Sequence, residues 1–231
     1  MVRPVPVGTE PSVAPDVACK LWLVRHAQPC VASGVCYGSM DVAADALATR
    51  AAAQALAQAL PQGVQVTSSP LQRCEQLAQE IYGLRPDLTY KVDCRLAEMN
   101  FGRYEGQRWD SIARDAYDAW TTDFWQHRFG GAQSVAEFMT RVQAAWDEAA
   151  LTGKQAIWIT HAGVIRAASL LAQGVCRVDC AQGWPQTAPA FGQWCVLGLG
   201  PRNAALQTIV GSGEKDANSL WREIQPSLRT N

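Results

Sequence analysis

The chain has 231 residues, of which 48% are hydrophobic and 18% are charged, and its formal net charge is -1 at pH 7. This length fits one α/β domain or at most two small ones, and the apolar content is ample for a packed core. The near-zero charge gives no bulk attraction to nucleic acid or to an acidic membrane, so any anion site must be a local pocket.

The sequence carries no targeting signal that we can identify. The first twenty residues lack the continuous apolar stretch of a signal peptide, and nowhere do about 18 apolar residues run uninterrupted, as a membrane-spanning helix requires. We therefore expect a soluble, cytoplasmic protein. Residues 1–18 contain four prolines and almost no periodicity, which predicts a disordered segment before a domain over 19–211 and a polar tail over 212–231.

The cysteines and histidines do not form a metal-binding pattern. Eight cysteines are scattered along the chain without a CxxC pair, and there are only three histidines. This spacing predicts no metal site and no cofactor, and it is typical of small buried thiols in a cytosolic protein. A disulfide between Cys30 and Cys36 is left open by their spacing but disfavoured by the inferred compartment.

Predicted strands and helices alternate along the chain. Short apolar runs such as Leu21 to Val24 are typical of strands that are buried on both faces of a parallel sheet. The alternation predicts an α/β fold with a mainly parallel sheet. In chain order, the predicted strands are 21–24, 64–67, 156–160, 193–199 and 205–210, and the predicted helices are 49–60, 70–82, 109–127, 134–151 and 164–172.

Cap residues give the expected starts of three helices. Thr49 is predicted as the N-cap of the first helix. Ser69 before Pro70 is predicted as the N-cap and first residue of the second. Ser134, followed by Glu137 three residues later, predicts a capping box for the longest helix.

Three predicted strands are followed by residues whose side chains can take part in catalysis. The first is followed by Arg25-His26-Ala27, the second by Ser68 to Arg73, and the strand at 156–160 by His161-Ala162-Gly163. Ligands of parallel sheets bind beyond the carboxyl ends of the strands. Two of the three histidines are therefore expected at the same edge of the sheet.

These residues satisfy the needs of phosphoryl transfer through a histidine. A neutral His26 can attack phosphorus in line. Arg25, Arg73 and a protonated His161 can hold the phosphoryl oxygens. Glu98 can give the leaving oxygen a proton and then activate water. The first N–H groups of the helices that follow two of these strands can add further donors.

Other residues near these motifs are assigned with alternatives. Tyr37 and Arg103 can line the substrate pocket, although a solvated loop explains them equally well. Glu105 is expected to brace the loop that carries Glu98, and His127 is expected to be structural rather than part of the substrate rim. Most of the nine tryptophans are expected to pack in the core.

Five stretches, in this order and spacing, resemble the motifs of the histidine phosphatase superfamily, also called the phosphoglycerate mutase-like family. They are LVRHAQP, SSPLQRCEQLA, RLAEMNFGRYEG, GGAQSVAEFMTRV and ITHAGVIR, and the resemblance spans about residues 20–210. It implies a three-layer α/β/α sandwich with a mainly parallel central sheet. It also implies a nucleophile at His26, phosphate-binding residues at Arg25, Arg73 and His161, and a proton donor at Glu98.

Two positions depart from the usual family pattern. The family's Arg-His-Gly reads Arg-His-Ala here, and because Ala27 disfavours positive φ, the turn after His26 must accept a Cβ. The family's Gly-Glu-Ser before the long helix reads Ala132-Gln133-Ser134. Glutamine keeps an acceptor but removes a charge, so the role of Gln133 in substrate choice is left open.

The predicted function is metal-independent hydrolysis of a small phosphomonoester through a phosphohistidine on His26. The segments around VRHAQP and EMNFGRYEGQRWDSI resemble α-ribazole phosphatases of cobalamin biosynthesis, which makes α-ribazole 5′-phosphate a candidate substrate. A phosphoglycerate mutase is disfavoured because the chain lacks the long insertion of cofactor-dependent mutases. A non-catalytic phosphate-binding protein is the third alternative.

The expected partner is a small phosphorylated metabolite, with no nucleic acid and no membrane. The oligomeric state is open, with a homodimer as one option.

Overall fold

A computed structural model describes residues 19–200 and 207–209. The segments predicted at 1–18 and 212–231 lie outside the described residues. The strands are β1 (Cys19–Arg25), β2 (Gln65–Ser68), β3 (Tyr90–Val92), β4 (Ala156–Thr160), β5 (Val175–Val178), β6 (Trp194–Leu199) and β7 (Gln207–Ile209). The α-helices are α1 (Ala46–Ala59), α2 (Gln72–Leu84), α3 (Arg114–Thr122), α4 (Val135–Leu151) and α5 (Ala162–Ala172).

The central sheet has five strands in the order β3-β2-β4-β1-β6. The first four are parallel, and β6 runs antiparallel to β1. Arg25 lies opposite Thr160, and Ser68 lies opposite Ile159, so the carboxyl ends of β1, β2 and β4 are level. The prediction of a mainly parallel sheet, with the three chemical motifs at one edge, is confirmed.

Helices cover both faces of this sheet. Leu21 and Leu23 of β1 pack in an apolar cluster with α4 and α5, whereas Val24 packs in a second cluster with α1 and α2. Successive strand residues point to opposite faces, so a strand between two helix layers is apolar throughout. This arrangement confirms the three-layer α/β/α sandwich.

The predicted N-cap of α1 is wrong by one helical turn. The helix begins at Ala46, and the Asp45 side chain accepts from the backbone N–H of Ala48 at 2.8 Å. Thr49 lies inside the helix, where its hydroxyl donates to the Asp45 carbonyl at 2.7 Å. Asp45 also donates its N–H to the Gln28 carbonyl, which fixes the helix start against the loop after β1.

The predicted N-cap of α2 is also wrong. The helix begins at Gln72, and its first N–H donates to the carboxylate of Asp41 at 2.7 Å. Ser69 lies three residues before the helix start and forms a tight turn, in which its hydroxyl accepts from the N–H of Leu71 at 3.3 Å. A carboxylate from a distant loop therefore replaces the local cap.

The region between β3 and α4 differs most from the prediction. The helix expected over 109–127 is reduced to α3, preceded by a 3-10 turn at Trp109–Ser111. Ser111 and Ile112 donate backbone hydrogen bonds back to Arg108 and Trp109, which closes this turn before α3 begins. The capping box of α4 at Ser134 and Glu137 is confirmed.

Strands β3 and β5 were not predicted, because runs of three and four residues are too short to show a period. None of the helices in the described residues is long and apolar enough to cross a membrane. All eight cysteines are free thiols, and they include Cys30 and Cys36. Cys36 and Cys74 are buried, as expected, but Cys30 and Cys94 are exposed.

Candidate active site

The two histidines at the strand ends are neighbours. His26 directly follows β1, and His161 directly follows β4, and their ring centroids are 5.1 Å apart. The backbone N–H of His26 donates to the carbonyl of Thr160 at 3.0 Å, which ties the two strand exits together. The sheet edge therefore carries a paired-histidine site, as the strand register requires.

The His26 imidazole is neutral and is oriented by a backbone carbonyl. Its Nδ1 lies 2.7 Å from the carbonyl oxygen of Ala27, so Nδ1–H donates and the lone pair is left on Nε2. Burial, reinforced by the positive charges of Arg73 and Arg25, lowers the pKa of His26 to about 3. The imidazole is therefore unprotonated at neutral pH, as nucleophilic attack requires.

The turn after His26 accepts a side chain. Ala27 is 1% exposed, and no residue other than glycine has a positive φ among the described residues. The alanine that replaces the usual glycine is therefore unstrained, and its carbonyl orients the His26 ring.

Arg25 and Arg73 supply positive charge from two sides. Arg25 donates to the carbonyl of Pro189 at 2.9 Å, and its Cζ lies 3.9 Å from the centre of the Phe191 ring. Arg73 donates to the carbonyls of Met40 and Gly38 at 2.8 and 2.6 Å. Nε of each guanidinium has no hydrogen-bond partner within the described part of the chain, so each group keeps a donor for a ligand.

His161 is neutral in this structure, and its protonation beside a phosphoryl group stays a prediction. His161 is completely buried, and burial together with the positive charge of nearby arginines such as Arg73 lowers its pKa well below the usual value. Its Nε2 lies 2.7 Å from the Ser69 hydroxyl oxygen. The positive charge of the site therefore comes from the two arginines, and His161 contributes a neutral ring.

Glu98 is fixed by two backbone N–H groups. Its carboxylate oxygens accept from Met99 and from Gly163, each at 2.9 Å. A Cβ at position 163 would overlap Oε1 of Glu98, so the close approach requires glycine there. The helix N-termini expected to bind phosphate are thus occupied by protein carboxylates, with Glu98 at α5 and Asp41 at α2.

Arg141 of α4 holds the loop that carries Glu98. Its guanidinium donates to the carbonyls of Arg95, Ala97 and Glu98 at 2.6 to 2.9 Å. It also donates to the side-chain oxygen of Gln133 at 3.2 Å. The side-chain oxygen of Gln133 therefore has a structural role, because it accepts a hydrogen bond from the arginine that holds this loop.

Only some of the remaining predicted residues lie at the cavity. Tyr37 lies in the site, with its ring centre 5.3 Å from Cζ of Arg73. Arg103 does not: it is exposed, and it donates to the hydroxyl of Tyr104, away from the cavity-lining residues. Glu105 braces its loop by accepting from the backbone N–H groups of Ser39 and Phe101. His127 does not line the cavity.

Three residues of the site were not anticipated as parts of it. Ser69 contacts His161, Phe191 lies 5.4 Å from the His26 ring, and Arg166 lines the cavity beside Glu98. Ser69 could have been found from its position at a strand exit. Arg166 ends the ITHAGVIR motif and could have been found there, whereas Phe191 lies in no motif and is brought to the site by chain folding alone.

A cavity of about 430 Å³ opens over this group of residues. Arg25, His26, Tyr37 and Glu98 lie at one end, and the rest of the wall is largely aromatic. Arg73 and His161 are fully buried and do not belong to the lining. A larger cavity of about 950 Å³ lies at the amino ends of the strands, and it contains none of the predicted catalytic residues.

The fold and site define the class of protein. A mainly parallel α/β/α sandwich with paired histidines, two arginines and a fixed carboxylate at its carboxyl edge is the arrangement of a phosphoric monoester hydrolase. The chain belongs to the histidine phosphatase superfamily (branch 1), whose family model matches residues 21–201.

Solved structures support the fold. A structure of mycobacterial hydrolase 2 is 20% identical, with a TM-score of 0.65, and the match covers 92% of this chain and 99% of that one. A mycobacterial glucosyl-3-phosphoglycerate phosphatase in complex with VO3 is 22% identical, with a TM-score of 0.65, covering 78% and 90%. The protein TTHB049 from Thermus thermophilus is 28% identical, with a TM-score of 0.56, covering 77% and 92%. No curated protein matches the chain.

Proposed function

We propose that the protein hydrolyses a small phosphomonoester through a phosphohistidine on Nε2 of His26. The observation that carries this proposal is the state of His26: a neutral imidazole, oriented by the Ala27 carbonyl, at the end of a cavity that also exposes Arg25 and Glu98. Two guanidinium groups supply the charge that a transferring phosphoryl group needs, so the step requires no metal ion.

The reaction has two balanced halves. In the first, Nε2 of His26 bonds to phosphorus while the bond from phosphorus to the ester oxygen breaks, and protonated Glu98 gives its proton to the leaving oxygen. In the second, the Glu98 carboxylate takes a proton from water while the water oxygen bonds to phosphorus. The phosphorus–nitrogen bond then breaks, which releases phosphate and restores His26.

The remaining site residues hold the phosphoryl oxygens. Arg25 faces the cavity, whereas Arg73 and His161 lie behind it. In the phosphate complex, the unpaired Nε of Arg73 and the ring of His161 would donate to the phosphoryl oxygens. The negative charge of the phosphate would also favour protonation of His161.

Phosphate release by His26→Ala is the first test. The variant is expected to release no phosphate from any monoester that the wild type hydrolyses, since no other imidazole lines the cavity. His127→Ala, which alters a histidine away from the cavity, is the matched control and is expected to keep full activity. Appreciable turnover by His26→Ala would refute the nucleophile, and loss of activity on EDTA treatment, restored by Zn²⁺ or Mg²⁺, would refute the metal-free step.

Within this function, α-ribazole 5′-phosphate is the proposed substrate. The motif resemblance around His26 and Glu98 supports it. A panel of phosphomonoesters that includes this compound, glucosyl-3-phosphoglycerate and 3-phosphoglycerate tests it by comparison of kcat/KM. We expect the highest value for α-ribazole 5′-phosphate; a low value beside rapid hydrolysis of another ester would reject the substrate but keep the phosphatase. Isomerisation of 3-phosphoglycerate with 2,3-bisphosphoglycerate would instead indicate a mutase.

A further inference from the structure

The cavity is larger and more apolar than a phosphate site needs. Its volume of about 430 Å³ lies in the range of about 300–1,000 Å³ that is typical of clefts for drug-sized ligands. The wall beyond His26 and Glu98 is aromatic, formed by Phe101, Trp109, Trp120, Phe124, Phe138 and Trp184. We refer to these six residues as the aromatic wall.

We propose that the aromatic wall is a subsite for a planar aromatic ring in the leaving group of the substrate. This inference rests on the proposed phosphatase function, because the phosphate end at His26 sets which part of the ligand reaches the wall. The ring would bind against tryptophan and phenylalanine faces and edges, where offset and edge-to-face contacts add to the burial of apolar area.

The wall is preassembled by contacts among its own rings. Trp120 stacks on Phe124 with centroids 5.6 Å apart, and Trp184 lies 6.2 Å from both Phe124 and Phe138. Phe129, which is completely buried, lies 4.5 Å behind Trp120. Rings that are fixed before the ligand arrives lose little conformational freedom on binding.

Ordinary core packing does not account for the whole wall. Phe129 and Phe138 have no exposed area, as expected of core residues, but Phe101, Trp109 and Trp184 stay half-buried beside open volume. These large side chains line the cavity and keep exposed surface that a ligand there would cover. An open aromatic surface next to a phosphoryl-transfer centre is therefore suited to a ring-bearing leaving group.

Arg166 gives the cavity a further polar contact beside Glu98. It lies three residues after Gly163 on α5, and hence on the same face of the helix. Its guanidinium donates to the Gln186 carbonyl at 3.0 Å, but its buried Nε has no partner within the described ranges. A leaving group with an oxygen or nitrogen acceptor beside its ring would satisfy this donor, so a heteroaromatic or sugar-linked ring fits better than a plain hydrocarbon.

The test compares two esters that differ in the ring alone. The alcohols of 2-phenylethyl phosphate and 2-cyclohexylethyl phosphate are similar as leaving groups, so the ratio of kcat/KM reports ring recognition. We expect a ratio of about 2 to 10 in favour of the phenyl ester, the range that corresponds to one aromatic pair. Ethyl phosphate, which has no ring, reports turnover without the subsite.

Two tryptophan variants locate the effect. Trp184→Leu is expected to bring the phenyl-to-cyclohexyl ratio to about 1, since it removes one of the aromatic faces that the ring would contact. The matched control is Trp125→Leu, which alters another half-buried tryptophan that does not line the cavity, and it is expected to keep the wild-type ratio. A phenyl-to-cyclohexyl ratio of kcat/KM near 1 in the wild type, or an equal fall of this ratio in both variants, would refute the proposed subsite.

Binding measurements test the aromatic subsite independently of the proposed phosphatase activity. Calorimetry with the phosphonates that correspond to the two esters measures ring preference without turnover. Tighter binding of the phenyl phosphonate, lost in Trp184→Leu, supports the subsite even if no ester is hydrolysed, which would refute the phosphatase alone. Equal binding of both phosphonates beside active hydrolysis would refute the subsite alone.

Discussion

At the scale of single residues, the charges that attract a phosphate also keep the nucleophile neutral. Arg73 and Arg25 disfavour a proton on His26, and burial acts in the same direction, with the pKa falling to about 3. The N–H groups of the two arginines donate to the backbone carbonyls of Pro189, Met40 and Gly38, which leaves the lone pair on Nε2 of His26 available. In the proposed mechanism, the same side chains therefore keep His26 ready for attack and bind the phosphoryl oxygens.

Replacement of the proposed proton donor should have an effect that depends on the leaving group. Glu98→Gln is expected to lower kcat by about 10²- to 10⁴-fold for alkyl phosphates, which need a proton on the leaving oxygen. For p-nitrophenyl phosphate, whose leaving group is stable as an anion, formation of the phosphohistidine should change little. Burst kinetics with both substrates measure this difference, and an equal loss for both would indicate a binding role instead.

The position of Glu98 depends on the missing side chain at residue 163. Gly163→Ala should displace the carboxylate and reproduce the leaving-group dependence of Glu98→Gln. Gly83→Ala in α2 is the matched control, since a Cβ there meets nothing within 4 Å, and it should keep activity and add about 0.5–1 kcal/mol of stability. Wild-type kinetics in Gly163→Ala would show that the contact with Glu98 does not matter.

Residue types at strand exits were sufficient to predict that Arg25, His26, Arg73 and His161 come together, whereas Glu98 was assigned from its motif. The charge of His161 was not predictable, because it depends on complete burial among other positive groups. Arg103 was expected near the substrate from its position in a motif. It is instead exposed beside Tyr104, since the short turn that carries it directs the side chain away from the cavity.

At the scale of elements, one arginine of α4 joins that helix to the catalytic loop. Arg141 bonds three loop carbonyls, and burial lowers its pKa only to about 10, so it remains charged at neutral pH. Each of these acceptors would lose its partner in a variant without the guanidinium. The loop conformation that presents Glu98 therefore depends on α4.

Arg141→Met should consequently be both less stable and less active. We expect a loss of about 3 kcal/mol in the free energy of unfolding, since charged hydrogen bonds to buried groups are removed, and a fall in kcat through displacement of Glu98. Urea denaturation measures the first effect. Arg50→Met, which removes an exposed ion pair with Glu80, should lose less than about 1 kcal/mol, and an equal loss in both variants would contradict the anchoring role.

Helix starts show where local sequence is insufficient. Asp45 and Thr49 are both good N-cap residues, and the choice between them is made by the backbone bond from Asp45 to Gln28. In α2 the first N–H is satisfied by Asp41, a residue of another loop. Contacts between distant segments, which no window of sequence contains, decide both positions. The capping box at Ser134 was predictable because both of its partners are local.

At the scale of the whole molecule, alternation of apolar runs was enough to predict a parallel α/β sandwich. It was not enough to predict the long connection between β3 and α4, which carries Glu98 and four residues of the aromatic wall. Short 3-10 turns dominate this region, and such turns are too short for their apolar residues to show a regular spacing. The part of the fold that most influences substrate choice is thus the part that the sequence predicted least.

Two buried neutral histidines should make the protein sensitive to acid. The folded-state pKa values of His26 and His161 are lowered, so below the ordinary histidine pKa of about 6.5 the unfolded chain binds more protons than the folded one. Stability should therefore fall as pH decreases from about 6.5 towards 3, with no effect of these groups above that range. Urea denaturation at several pH values measures how steeply the free energy of unfolding changes with pH. In His26→Asn this slope should be smaller by up to about 1.4 kcal/mol per pH unit. An unchanged slope would contradict the neutral state of His26.

The most direct test of the account is to trap the phosphorylated enzyme. The protein is mixed with a substrate labelled in its phosphoryl group and quenched in alkali within one turnover, and the labelled peptide is sequenced by mass spectrometry. We predict one acid-labile, alkali-stable phosphoryl group per active site on His26, absent from His26→Ala. Label on another residue, or full single-turnover hydrolysis without labelled protein, would contradict the phosphohistidine mechanism.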